Sequence, residues 1–452
     1  MSIGYRNRRA VVLGLGLTGL SLARFLVRQG ADVRVADTRA DPPNRDTLQA
    51  ELPDVRVVTG PYVDETFADT DLIAISPGVD ARDAAIRAAV TRGTEIAGDI
   101  ELFARELPAD QKVLAITGTN GKTTVAALTG ALTRAAGLQT VIAGNIGTPV
   151  LDALATQTAG APWPRVFVLE LSSYQLETTT SLKPIAAAVL NVSPNHMDRY
   201  AGIADYAGAK ARVFAQATVQ ILNRDDPIVR LMRLPGRTAQ TFGASVPLSE
   251  EEWGLVERGG ELIMQTSRLT LVGRHNALNA LAALALTSAV AKVGRPVLDA
   301  LAAFSGLPHR MAPIAEAAGV LFVDDSKGTT VAATQVALEG MRRPVVLIAG
   351  GDGKGQSFAQ LKASVDNACR AVLLIGRDAP QIARALTGTT ARVEMVGTLE
   401  AAVERAMAIA VSGDVVLLSP ACASLDQFRD YVERGNRFAE LVNAALAENV
   451  DA

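Results

Sequence analysis

A chain of 452 residues, 49% of them hydrophobic, with a mean hydropathy of +0.21, has room for about three domains, each burying its own core. A net charge of -3 and only 4% aromatic residues leave no basic face or stacking platform, so nucleic acid is not an expected partner. Cys369 and Cys422, the two cysteines, lie far apart and outside any Cys/His cluster, which gives no sign of a disulfide framework or a zinc centre and fits a reducing cytoplasm.

The opening "YRNRR" before an apolar stretch imitates a secretory signal, but the glycine spacing that follows and the lack of a small-x-small cleavage site speak against one. "RAVVLGLG" reads as an apolar strand ending in glycines, and "GLSLARFLVRQG" as a helix that stops at Gly30. "ADVRVAD" and "DLIAISPG" follow as buried strands. Gly14-x-Gly16-x-x-Gly19 has the spacing of a dinucleotide-binding turn, so an NAD-dependent oxidoreductase is the first reading it raises.

After the polar link "ELPADQ", "KVLAITGTNGKTTVAALTGALTRAAG" repeats the order strand, Gly-rich loop, helix. A standard P-loop, G-x-x-x-x-G-K-[ST], would need glycine where Ile116 stands. The remainder, Gly118-Thr119-Asn120-Gly121-Lys122-Thr123, keeps what phosphate binding needs. Backbone N-H groups turn inward, Lys122 reaches the outer phosphates, the Thr123 hydroxyl suits Mg²⁺, and a helix starting near Thr124 adds its positive end. ATP is the expected ligand.

"RVFVLELSS" and "IAAAVLNVS" supply two further strands. Glu170 ends the first, either as a hard oxygen donor for Mg²⁺ or as a capped or ion-paired carboxylate. "NVSPNHMDRY" sets His196 after the second, either as a metal contact or as a hydrogen-bonded structural histidine.

"HNALNALAALALTSAVAKVG" reads as a buried helix ending at Gly294; Asn279, Thr287 and Ser288 break it, and it is too short to span a bilayer. Four more strand candidates, "GVLFVDDS", "RPVVLIAGG", "AVLLIG" and "DVVLLSP", complete a third unit. Strands alternating with helices predict parallel sheets throughout. The fold class expected is α/β in three domains: 1–105 Rossmann-like, 106–304 a P-loop ATPase-like parallel sheet, and 305–452 Rossmann-like again.

Together, "GTNGKTT", "GNIGTP" (144–149), "ELSSYQLE" (170–177), "HNALNALAA" (275–283), "LPHR" (307–310), "DDSKGTT" (324–330) and "LLSPACASLDQF" (417–428) resemble the Mur ligases over essentially the whole chain. With "GLGLTGLS" at the start, they most resemble the branch that adds D-glutamate to UDP-N-acetylmuramoyl-L-alanine in the cytoplasmic stage of peptidoglycan synthesis. The resemblance implies that ATP phosphorylates the substrate carboxylate and that the amine of glutamate then attacks the acyl phosphate. A monomer without membrane insertion is expected. Another amino-acid-adding ligase of this type, or a folylpolyglutamate synthase, is the alternative within the family.

By motif, the resemblance gives Lys122, Thr123 and Thr124 to the phosphates, with Thr123 and Glu170 on one Mg²⁺ and His196 on a second. It matches Lys210 to a lysine that CO₂ carbamylates into a metal ligand. Asn276, Asn279, Arg310 and Asp325 match contacts to ATP. Leu17 and Thr18 with Ser76, Pro77 and Gly78 would meet the diphosphate of the UDP part. Asp37, Thr38 and Arg39 would meet the uracil, Asn145 the muramoyl part, and Ser172 and His196 are further substrate contacts. Lys327, Thr329, Lys354, Ser424, Leu425 and Tyr431 match the glutamate pocket, where two lysines suit a dicarboxylate. Asn195, Thr330 and Tyr431 depart from the expected Asp, Asn and Phe.

Overall fold

The computed structural model describes residues 4–158, 162–243, 254–256, 262–265, 268–271 and 274–448. Three sheets follow one another along the chain. The first holds β1 (Arg9–Leu13), β2 (Asp32–Asp37), β3 (Arg56–Thr59), β4 (Leu72–Ile75) and β5 (Glu95–Gly98), in the order β3-β2-β1-β4-β5, all parallel. The second holds β6 (Lys112–Thr117), β7 (Thr140–Gly144), β8 (Val166–Glu170), β9 (Ala186–Val189), β10 (Val219–Asn223) and β11 (Thr238–Phe242), in the order β11-β10-β9-β6-β8-β7, again parallel. β12 (Gly254–Val256) and β13 (Leu262–Gln265) make a small antiparallel pair. The third sheet holds β14 (Ala312–Ala317), β15 (Val320–Asp324), β16 (Val345–Gly350), β17 (Cys369–Ile375), β18 (Arg392–Gly397) and β19 (Val415–Leu418), in the order β14-β15-β19-β16-β17-β18.

Two expectations need correction. The sheets are not parallel throughout: besides β12 and β13, β14 runs antiparallel to β15. Ala318 (φ 48°) and Gly319 (φ 77°) both adopt positive φ between β14 and β15, the geometry of a two-residue hairpin turn, and a parallel crossover has no room there. The helix expected to reach Gly294 ends at Ser288. There the Thr287 and Ser288 hydroxyls donate to the carbonyls of Ala283 and Ala285, side-chain bonding that competes with helix continuation.

By compactness the chain divides into two units, residues 1–244 with 279–301, and residues 245–278 with 302–452. Within the first, the cores of the first two sheets merge: Val12, Leu22 and Phe103 belong to the same buried cluster as Phe167 and Val189. The Phe103 ring meets Phe167 edge-on at 5.1 Å, and Arg24 reaches Asp152 across the same seam. In the second unit the two faces of the third sheet carry separate clusters, one around Leu347 and Leu374, the other around Ile348 and Phe438.

Candidate functional site

In open parallel sheets, ligands bind beyond the strand carboxyl ends where the strand order reverses. In the first sheet that point lies between β1 and β4. A cleft of about 630 Å³ opens there, and Leu17, Thr18, Asp37, Thr38, Arg39, Ser76, Pro77, Gly78 and Asn145 all line it. The helix Leu17–Arg28 starts on this cleft with an extended Gly16 at its N-cap and no side-chain cap, so its positive end lies at the cleft wall. Gly19 packs that helix onto the turn: a Cβ there would stand 1.8 Å from the Gly14 carbonyl oxygen. Ser76 donates to the same carbonyl at 3.0 Å, tying the loop after β4 to the loop after β1.

Asp37 is only 2% exposed, and both its oxygens are engaged. Oδ2 accepts from the Leu15 N-H at 2.7 Å and from Arg39 Nη2 at 2.6 Å, while Oδ1 accepts from the Arg39 backbone N-H and Nε, each at 2.9 Å. Burial works to raise this carboxyl, yet the hydrogen bonds from Arg39 and Leu15 outweigh it and hold it down at about 2. Asp37 therefore fixes the β1 turn and the Arg39 side chain.

The central loop follows β6. Gly121 has φ 82°, which a residue with a Cβ reaches only under strain, and the Asn279 side chain packs directly over it. The helix Lys122–Ala135 starts at the loop, two residues before the expected Thr124. Lys122 Nζ donates to the Gly118 and Thr119 carbonyls at 3.0 and 2.9 Å, and Lys210 Nζ to the Gly118 carbonyl at 2.8 Å. Asn120 is held through its N-H by Asn191, and the Thr119 hydroxyl lies 3.4 Å from that of Tyr206.

Lys210 is 1% exposed and lies over the Tyr206 ring. Burial first, and then the charge of Lys122, pull its pKa down to about 6 against the opposing pull of Glu170. Glu170, 2% exposed, ends β8. Its Oε1 accepts from Asn145 Nδ2 at 3.0 Å, and its buried Oε2 has no hydrogen-bond partner among the described residues. Asn145 thus touches Glu170 while lining the cleft. His196 adopts φ 59° and packs beside the Tyr174 and Tyr206 rings. Burial foremost lowers its pKa, favouring the neutral imidazole, with Asp198 opposing and Lys210, Lys122 and Arg199 adding to the shift. Asn195 accepts from the His196 N-H at 2.9 Å.

Gln175, absent from the residues read out of the sequence, also lines the cleft. It forms a capping box with Ser172 on the helix Ser173–Glu177, and its Nε2 donates to Asp99 at 2.9 Å. The S-x-x-Q spacing after an apolar strand was the available signal. Tyr62 lines the cleft too, and no sequence pattern marks it.

In the second unit Asp325, Lys327 and Thr329 follow β15, Lys354 follows β16, and Ser424, Leu425 and Tyr431 follow β19. Asp325 is buried, accepting from the Ser419 hydroxyl at 2.8 Å and the Met311 N-H; burial above all pushes its carboxyl up to about 7. Lys327 Nζ lies 3.9 Å from the centre of the Tyr431 ring, a cation-π contact that the extra hydroxyl of Tyr431 leaves intact. Its N-H bonds to the carbonyl of His309, next to Arg310, and its carbonyl accepts from the Thr329 N-H. Thr330 caps the helix Val331–Glu339 through its hydroxyl, a role that Asn would also fill. Lys354 has φ 50°, Ser424 is buried, and Leu425 is exposed. Arg434, 1% exposed and missed in the sequence, binds Ser326 in the loop after β15 and the Cys422 carbonyl in the loop after β19. Asn276 and Asn279 are both buried on the helix Arg274–Ser288.

Three family models match in the order of the sheets: the Mur ligase MurD-like N-terminal domain over residues 8–98, the Mur ligase middle domain over 116–287, and the Mur ligase glutamate ligase domain over 309–422. A Thiobacillus denitrificans protein named UDP-N-acetylmuramoylalanine--D-glutamate ligase is 50% identical, over 98% of this chain and 97% of its own. The chain belongs to the Mur ligase family. A Chromobacterium violaceum protein of the same name is 49% identical over 98% and 99% of the two chains. Among solved structures, the UDP-N-acetylmuramate-alanine ligase MurC of Thermotoga maritima superposes with a TM-score of 0.56 at 19% identity, over 97% of this chain and 99% of that one. MurF of Acinetobacter baumannii gives 0.56 at 18% identity over 84% and 87%. These two share the fold. Membership of a ligase family sets aside the oxidoreductase reading of the first glycine turn.

Proposed function

We propose that this Mur ligase is an ATP-dependent enzyme that joins D-glutamate to UDP-N-acetylmuramoyl-L-alanine through an acyl phosphate, releasing ADP and phosphate, in the cytoplasm. The roles given to individual residues, and domain limits at 1–105, 106–304 and 305–452, belong to the same proposal. The observation that carries it is Asn145, which lines the cleft and donates to Glu170 at the ATP-type loop. One end of the cleft suits a nucleotide diphosphate, and the other delivers a carboxylate to phosphoryl chemistry. Relatives bearing the corresponding name at about half identity over nearly the full chain support the choice of substrate and amino acid. Among the described residues no helix is long and apolar enough to cross a membrane.

The residues suit Mg²⁺. Glu170 Oε2 is a buried hard oxygen with no protein partner among the described residues, and Thr123 and a neutral His196 are further donors. When bound, Mg²⁺, two ions in this proposal, supplies charge neutralisation at the phosphoryl oxygens. Gly118 to Thr124 hold the ATP phosphates, with Lys122 meeting the charge that develops on transfer. The substrate carboxylate, presented by Asn145, attacks the γ-phosphorus and ADP leaves. The amine of glutamate then attacks the acyl carbon, loses a proton, and phosphate departs with the former carboxylate oxygen; Lys327 and Lys354 would pair with the carboxylates of that glutamate.

Substrate labelled with ¹⁸O in the alanyl carboxylate tests this. The phosphate released should carry one labelled oxygen from each doubly labelled carboxylate. Unlabelled phosphate alongside peptide product would contradict the acyl phosphate route.

A further inference from the structure

The half-buried Tyr62 has no part in the roles assigned above, yet it shares the cleft wall with Asp37, Thr38 and Arg39. Asp37 has spent both oxygens on the protein itself, so a base bound at that end of the cleft would need contacts beyond this carboxylate. Tyr62 is the one aromatic side chain lining the cleft among the described residues. Its ring is backed by Phe67, with centroids 6.2 Å apart and planes tilted by 55°, so it is supported from the protein side. Burial, with the nearby charges of Asp37 and Asp83, drives the phenol well above its usual pKa, and the hydroxyl stays neutral at any working pH.

We infer that Tyr62 is the base-binding residue of the cleft, its ring lying against the pyrimidine of a uridine nucleotide while the Gly14 to Thr18 turn takes the diphosphate. An aromatic face is sequence-tolerant but requires a base, since a bare phosphate gains nothing from it. The inference rests on the proposed reading of the cleft as a UDP site.

Titration calorimetry on the full chain tests it, with UDP and inorganic pyrophosphate as separate probes. Tyr62→Leu should weaken UDP by about tenfold, the factor that about 1.4 kcal/mol of stacking converts to, and leave pyrophosphate unchanged. Tyr62→Phe should bind UDP within about twofold of the wild type. Tyr62→Met, a long unstacked side chain, replaces the leucine variant if that one fails to fold. Equal UDP affinity in the wild type and the leucine or methionine variant would overturn the inference, as would parallel losses of UDP and pyrophosphate. A wild type that binds no UDP would overturn the reading of the cleft and this inference together. A wild type that binds UDP beside an unaffected variant overturns only the role of Tyr62.

Discussion

Lys210 is a cation buried where burial and a second lysine both oppose its charge, and its pKa falls to about 6 as a result. At neutral pH the amine is mostly uncharged, and only that form can add to CO₂. Lys210→Ala should therefore lose at least about a hundredfold in turnover, the scale of removing a group that manages charge at the reacting centre. Bicarbonate should fail to restore it, and a short-chain carboxylic acid should restore part; full activity in the variant would refute the carbamate. Asp99 presents the opposite case. It is fully buried, and burial raises its carboxyl to about 6. The folded state then holds this proton more tightly than the unfolded chain, so stability is present at low pH and declines as pH rises from about 4 through 6. Asp99→Asn keeps an acceptor for Gln175 and removes the charge. Its denaturation midpoint should rise relative to wild type between pH 5 and pH 8, by the equivalent of about 1.4 kcal/mol. Identical pH profiles would contradict this.

At the scale of elements, turns carry the site, and turns were the most legible part of the sequence. Glycine spacing marked the loops after β1 and β6 because only glycine tolerates the conformation at Gly121 and the contact at Gly19. Gly19→Ala should push the helix Leu17–Arg28 off the turn and weaken UDP-substrate binding by more than about tenfold, while ATP affinity stays unchanged; calorimetry with each ligand separates the two. Arg199 has no such signature. It lies 4.1 Å over the Tyr174 ring, donates to Glu177 at 2.5 Å and reaches the Pro77 carbonyl at 3.2 Å, holding the loop after β4 against the central sheet's residues. Arg199→Met strands Glu177 without its cation. It should raise KM for the UDP substrate several-fold, and an unchanged KM would count against the strut. Strands buried on both faces, such as β1, β6, β8, β16 and β19, stood out as apolar runs. The edge strands β3 (RVVT), β14 (APIAEA) and β18 (RVEMVG) mix exposed and polar positions and did not.

At the scale of the whole molecule, three α/β units in series were readable from the alternation of strands and helices. The merging of the first two cores was not, because contacts such as Phe103 with Phe167 join residues that no local pattern relates. The same limit explains the site. Motif residues on one loop could be picked out singly, whereas Gln175, Tyr62 and Arg434 matter through neighbours distant in sequence. The central claim is that one chain couples ATP cleavage to amide formation between two specified partners. Phosphate release by the purified protein with Mg²⁺ tests it most directly, leaving out ATP, UDP-N-acetylmuramoyl-L-alanine or D-glutamate in turn. The account predicts release only when all three are present; release with L-alanine or a diamino acid in place of D-glutamate, or none with the complete mixture, would contradict it.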